Sequence, residues 1–455
     1  MLLSACNVGP TYTRPATPVP SAYKELGAPN VKIDWKIARP RDDVVRGKWW
    51  GSFNDKTLNG LEDKLNISNQ NIAAAAANVQ AARAIVREAE SQFFPTISAN
   101  PSITNTRGSS VVSQKGNTFT TYSLPLEASW EPDLWGRVRN TAAASRFAAE
   151  ASAADLESVK LSEQAELAAD YYALRAQDEQ KQLLNSTVIA YQEALELAND
   201  QYISGAGTDE AVAQAETQLR TAQAQATNLG IVRAQYEHAI AVLTGQPASA
   251  FTLPASTLKT TLPQIPVGLP SDLLERRPDI AAAERAVAQA NAQVGIAKTA
   301  FFPVVTLGGA VGLQSFSMEK WLELPSLVWS VGPSLAQTIF DGGLRKATVQ
   351  QFKAGYNQTV ANYRQTVLTA FQQVEDNLSS LRILAQVINQ QDSAIEASRR
   401  NLDEANARYK AGLDPYLNVI AAQTSLLTNQ QAVVNIRMQR MVAGIQLIKS
   451  LGGGK

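Results

Sequence analysis

The chain has 455 residues, enough for two or three ordinary domains, with 41 basic and 41 acidic side chains. That balance leaves no basic excess, so no nucleic-acid partner is expected. A single histidine, His238, and a single cysteine, Cys6, exclude a disulfide framework and a Cys/His metal site.

The lone cysteine sits in Leu3-Ser4-Ala5-Cys6, which looks like a bacterial lipobox, where the cysteine is acylated after cleavage before it. The basic n-region and most of the apolar h-region are missing, which reads as a truncated or late-called start. Asn7 is not the Asp that marks inner-membrane retention in such lipoproteins. A covalent lipid on Cys6 is thus expected, with no other cofactor. A Pro-rich arm follows to about Pro40 and reads as extended chain. Trp49, Trp50 and Phe53 then form an aromatic anchor, and Leu58, Leu61 and Leu65 have helical spacing. A short helix is expected from near Asp55 and a longer one from Asn69 to Gln92.

Phe93-Phe94-Pro95 stops that helix, and the period changes from 3.6 to 2. Ile97, Ala99, Pro101 and Ile103 alternate with Thr96, Ser98, Asn100, Ser102 and Thr104. After a polar loop, Tyr122, Leu124, Leu126, Ala128 and Trp130 alternate with Thr121, Ser123, Glu127 and Ser129. This is a hairpin of two long strands over 96–131. From Arg137 to Ser204 there is neither Gly nor Pro, so one helix of ~68 residues, roughly 100 Å long, is expected. It stops at Gly205-Ala206-Gly207, and a return helix occupies 208–243. No stretch approaches the ~18 consecutive apolar residues of a membrane-crossing helix.

The chain then repeats itself at an offset of about 207 residues. Phe301-Phe302-Pro303 answers Phe93-Phe94-Pro95. Arg345 answers Arg139, and Arg382 answers Arg175. Tyr409 and Gly412 answer Tyr202 and Gly205. The expected segments are a lipidated N-terminal arm and equatorial piece, 1–68; a first repeat, 69–245; and a linker, 246–270. A second repeat, 271–450, and a tail, 451–455, follow. The second repeat holds a short helix, a hairpin over 304–339, a long helix over 344–411 and a return helix over 415–449.

All four strands have about the ~9–11 residues that cross a membrane, and aromatics (Phe119, Tyr122, Trp130, Phe316, Trp321) mark their ends. A sheet in lipid must close, and ~8 strands is the practical minimum, so chains must pool strands. Two copies give eight strands and three give twelve.

The chain resembles an outer-membrane efflux factor of the TolC family, in its lipoprotein (OprM-like) branch, along essentially its whole length. The residues carrying the resemblance include Leu3–Cys6, Trp49-Trp50, Phe93–Pro95, Trp130–Arg139, Gly268–Ile280 (GLPSDLLERRPDI), Phe340–Gly343 and Tyr409–Tyr416. The resemblance implies a mainly α fold with β: a duplicated helix–hairpin–helix–helix repeat. It implies a homotrimer with a twelve-stranded β-barrel in the outer membrane, continued by a long α-helical barrel. It implies three kinds of contact: outer-membrane lipid, a periplasmic membrane-fusion adaptor and an inner-membrane pump of RND type. Trp49–Leu65, Gly245–Pro270 and the C-terminal end would form an equatorial belt.

The same resemblance places a gate at the two tight turns, at the periplasmic tip. The residues there are Tyr202, Gly205, Asp209, Glu210, Tyr409, Gly412, Asp414 and Asn418. Many family members carry an Asp ring just past the second turn; Asn418 and Ala421 stand at those positions here. Asp209 and Glu210 also suit a helix N-terminus through the dipole alone. No catalytic residue is expected: His238 has no Ser or Cys partner, and Gly308-Gly309 and Gly342-Gly343 lack the Lys-Ser/Thr of a phosphate loop. The expected function is the exit duct of a tripartite efflux system for small toxic compounds. The alternatives are a type I protein-secretion duct and a soluble trimeric coiled-coil scaffold.

Overall fold

A computed structural model describes residues 7–20, 22–26, 47–109, 111, 117–267 and 270–453. Cys6, much of the polar loop 108–117, the Gly268-Leu269 start of the GLPSDLLERRPDI run and Lys455 lie outside them.

Helix α1 (Lys56–Ser68) starts where the Asp55 carboxylate accepts from the Thr57 and Leu58 N–H groups at 2.9 and 3.2 Å. Helix α2 (Gln70–Ser91) starts where Asn69 Oδ1 accepts from Ile72 N–H at 3.0 Å. Strands β1 (Thr96–Ala99), β2 (Ser102–Arg107) and β3 (Thr118–Trp130) follow. Then come α3 (Arg137–Ile203), α4 (Asp209–Leu243), α5 (Pro270–Arg276) and α6 (Pro278–Thr299). Strands β4 (Val304–Ser315) and β5 (Leu327–Ala336) lead into α7 (Leu344–Lys410) and α8 (Tyr416–Ser450).

The duplication is visible residue for residue. Helices α3 and α7 each have 67 residues, α4 and α8 each 35, and α2 and α6 each 22. Glycines with positive φ recur at matched places: Gly136 and Gly343, Gly205 and Gly412, Gly245 and Gly452. At the last pair the need is steric as well as torsional. A Cβ on Gly245 would stand 2.3 Å from the Ser68 carbonyl oxygen, and one on Gly452 2.9 Å from that of Arg276.

Residues cluster into two compact units, and each draws on both halves of the repeat. One unit comprises 1–17, 77–153 and 282–365 and holds the sheet. Its N-terminal arm is tied down at close intervals. Asn7 Oδ1 accepts from Asn140 Nδ2 at 2.9 Å, and Val8 N–H donates to the Trp135 carbonyl at 3.3 Å. Asn291 Nδ2 donates to the Pro10 carbonyl at 2.9 Å, the Tyr12 hydroxyl bonds Glu284, and Arg14 Nε donates to the Tyr363 hydroxyl at 3.2 Å.

The other unit comprises 18–76, 154–281 and 366–455. Its core gathers Trp49, Trp50, Phe53, Leu58 and Leu65 with Tyr171 and Tyr172 of α3, Leu253 and Leu258 of the linker, and Ile445 and Ile448 of α8. The linker is bolted on by charge. Asp178, 3% exposed at its side chain, pairs with Arg175 at 3.0 Å and Arg233 at 2.7 Å, and accepts from Ser256 N–H at 3.1 Å. The two guanidinium groups donate onward to the Pro254 and Leu253 carbonyls, each at 2.6 Å. Arg277, from the GLPSDLLERRPDI run, does the same for the C-terminal helix. It donates to the Ser450 carbonyl at 3.0 Å while pairing with Asp279 at 2.6 Å.

Two outcomes follow for this unit. Asp178→Ala strands two cations with little access to water, so it should cost about 3–5 kcal/mol in denaturant unfolding of the detergent-solubilised protein. A loss under ~1 kcal/mol would contradict the assignment of that ion cluster as a structural bolt. Glu62 is fully buried, and neither carboxyl oxygen has a partner among the described residues. Burial, helped by nearby Asp63, pushes its carboxyl well above the usual range. The folded state therefore holds that proton more tightly than the unfolded chain, and stability falls as pH rises above ~4.3. Glu62→Gln should match the wild type near pH 4 and melt at a higher temperature by pH 8; a constant difference across that range would refute the account.

Candidate functional sites in the sheet and at the helical turns

The sheet runs β1/β2–β3–β4–β5, antiparallel throughout. The first expected strand is cut in two at Asn100-Pro101, because Pro has no N–H for the ladder. The register runs on through the gap: Ala99 opposes Leu126, and Ser102 opposes Ser123.

That register sorts every side chain. Ile97, Ala99 and Ile103 share a face with Tyr122, Leu124, Leu126, Ala128 and Trp130. Leu307, Val311 and Leu313 of β4 join them, followed by Leu327, Trp329, Val331 and Leu335 of β5. This apolar face is bare in the single chain: Ile97 is 71% exposed, Trp329 72% and Val331 77%. An apolar surface of this kind is an interaction face. The opposite face carries mainly Ser, Thr, Gly and Ala, with Glu127 and Gln314, and the apolar Pro125, Val304, Val328 and Phe119 among them. The outer strands, β1/β2 and β5, each pair on one side only within the chain.

Aromatic rings cluster at both ends of the strands. At the loop end Phe119 packs edge-on against Phe316 at 5.3 Å, and Tyr122 lies 5.7 Å from Trp321. At the helix end Trp135 stacks on Phe302 at 4.9 Å, and Trp130 Nε1 donates to the Phe93 carbonyl at 3.0 Å. Acids at the strand–helix junctions are paired: Glu131 with Arg137 at 2.8 Å, Asp133 with Arg139 at 2.8 Å and Asp341 with Arg345 at 2.5 Å.

The second site is where the long helices turn. Both turns close the same way, with Ala206 N–H on the Gln201 carbonyl at 2.8 Å and Leu413 N–H on that of Arg408 at 3.0 Å. Thr208 caps α4 through Ala211 N–H at 3.2 Å, whereas Pro415 precedes α8 with no side-chain cap. The four helices meet in a cluster of Ala198, Ala211, Ala215, Ala405, Tyr416, Val419 and Ala422.

The expected gate residues divide. Tyr409 donates to Gln201 Oε1 at 2.6 Å and lies 5.1 Å from the Tyr416 ring, joining the two repeats. Tyr202, its counterpart, is 49% exposed. Asp414 makes a two-pronged pair with Arg408 at 2.7 and 3.2 Å. Glu210 accepts from Gln214 of its own helix at 3.1 Å, and Asp209 and Asn418 are exposed. Sequence reasoning missed Arg408, Gln201 and Tyr416. Their signal was the inequality of the repeats: Arg408 and Asp414 stand where the first repeat has Gln201 and Gly207, and Tyr416 stands where it has Asp209.

The Arg408 guanidinium holds the Asp414 carboxyl below the usual carboxylate range. A depressed folded pKa means the contact is fully present above the ordinary Asp value of ~3.9 and is lost only as pH falls through the lowered folded pKa. In hydrogen exchange, Arg408→Ala should speed the Leu413 amide and leave the matching Ala206 amide unchanged. Acid strong enough to protonate Asp414, below the ordinary Asp value, should do the same to wild type after correction for intrinsic rates. Equal responses at the two turns would refute the ion-pair assignment.

The sequence model of the outer membrane efflux protein family matches residues 61–246 and 269–453, once for each repeat. The chain is 30% identical over 458 aligned residues to the probable efflux pump outer membrane protein TtgC of Pseudomonas putida, covering 100% of this chain and 93% of that one. It is 28% identical to the cation efflux system protein CusC of Escherichia coli, covering 100% and 97%. Among solved structures, the outer-membrane channel OprN superposes with a TM-score of 0.89 at 30% identity, covering 99% of both chains. With its duplicated helices and open-edged sheet, the chain belongs to the outer membrane efflux protein family and has the TolC-like fold.

Proposed function

We propose that this chain is the outer-membrane exit duct of a tripartite efflux system. It passes small toxic compounds such as drugs, dyes and detergents from an inner-membrane pump and a periplasmic adaptor to the outside. The observation that carries this reading is the sheet: two unpaired edges, one bare apolar face and one small-and-polar face. Lipid against the first face and water against the second require closure with strands from other copies. Three copies give a twelve-stranded barrel, the homotrimer that the family resemblance implies. The long helices supply the helical part of the duct, and we assign the belt to the core built on Trp49, Trp50 and Phe53. The partners are an adaptor and a pump of RND type, and the duct itself carries out no chemistry. The roles that the relatives' names carry, efflux in TtgC and cation efflux in CusC, favour efflux over protein secretion.

Lipid anchoring at Cys6 is part of the reading. Asn7, the next residue, is fastened to Asn140 at the start of α3, beside the sheet. An anchor there would start close to the lipid-facing strands. The repeat boundaries 69–245 and 271–450, and the gate residues Tyr202, Gly205, Asp209, Glu210, Tyr409, Gly412, Asp414 and Asn418, belong to the same proposal.

The test of function is complementation. Expressed with its partner pump and adaptor in cells lacking their own outer-membrane channel, the chain should restore resistance to dyes and detergents. Unchanged sensitivity, with protein present in the outer membrane, would refute it. Replacing Asp209, Glu210 and Asp414 together by Ala should raise single-channel conductance and antibiotic leakage, and unchanged values would remove these acids from the gate. Mass spectrometry of the mature N-terminal peptide should find acyl groups that Cys6→Ser abolishes; an unmodified wild-type peptide would refute the anchor.

A further inference from the structure

The polar face of the sheet is nearly free of charge. In register it carries Thr96, Ser98 and Ser102 on the first strand line, Ser123, Pro125, Glu127 and Ser129 on β3, Gly308, Ala310, Gly312 and Gln314 on β4, and Ser330, Gly332 and Ser334 on β5. Glu127 is the only ionisable side chain on that face among the described residues.

Three further facts set it apart. First, it lies opposite Ser98 on one neighbouring strand and Ala310 on the other. Those side chains are too short to cover a carboxylate or to neutralise it. Second, it is exposed, and no ion pair among the described residues holds it. The junction acids Glu131, Asp133 and Asp341 each have an arginine, whereas Glu127 has none. Third, its strand position is internal to β3, so the charge sits among the strands and not in a loop.

We propose that Glu127 is a charge-selectivity residue of the duct. It contributes one carboxylate per copy to the water-filled side of the closed sheet, favouring cations and cationic cargo over anions. This rests on the exit-duct reading, since only closure with the polar face inward turns Glu127 toward the permeant. The physical basis is general: a ring of acidic side chains in a water-filled pore raises the local cation concentration, and salt screens the effect.

Planar-bilayer recordings across a KCl gradient at neutral pH test it through the reversal potential. Wild type should prefer potassium to chloride. Glu127→Gln should lower the permeability ratio about two-fold or more at ~0.1 M salt, and the difference should shrink toward 1 M as the Debye length drops from ~10 to ~3 Å. Glu127→Lys should lower it further, and Glu127→Asp should keep it. Channels of normal conductance whose ratio is the same in wild type, Glu127→Gln and Glu127→Lys would overturn the assignment. Absence of any channel from wild type would instead overturn the duct reading itself.

Discussion

An unpaired strand edge in hydrocarbon leaves backbone N–H and C=O groups with neither protein nor water to bond, at several kcal/mol per group. This chain builds a sheet with two such edges and an apolar face that suits only lipid or another apolar surface. The sheet cannot satisfy itself. In the proposed duct, copies join head to tail, β5 of one against β1/β2 of the next, and the rotation closes. Each edge also carries one proline, Pro101 between β1 and β2 and Pro333 within β5.

Duplication supplies the scaffold, and departure from duplication supplies its candidate working parts. Helix lengths and left-handed glycines match between the halves because each half must make the same turns. At the tip the halves part. The second turn has an Arg–Asp pair and a buried tyrosine, and the first has a serviceable cap and an exposed tyrosine. The Tyr409–Gln201 hydrogen bond links the two unequal turns, beside the apolar cluster where the four helices meet.

Much of this was legible from the residues. Period-two alternation assigned the two faces of the sheet, since a slip of one residue would have put Trp329 and Val331 among the serines. The absence of Gly and Pro exposed the long helices. What stayed hidden depends on tertiary placement. Arg175 was visible only as a repeat match with Arg382. In the fold it is buried on Asp178, while Arg382 pairs with Glu25 near the surface. Glu62 was not singled out by the sequence, yet it lies one helical turn beyond Leu58, on the buried face. The inequality of the repeats marked Arg408 and Asp414, but their pairing needed coordinates, because a rotamer choice leaves no periodic trace.

The central claim is that the sheet is completed by other copies of the chain in the outer membrane. The most direct test is the protein mass of the membrane-extracted assembly in mild detergent, with the detergent contribution subtracted. The account predicts three chains, recovered from the outer-membrane fraction. A monomer, or a protein freely soluble without detergent, would contradict it, and the apolar face would then have to be covered from within the chain.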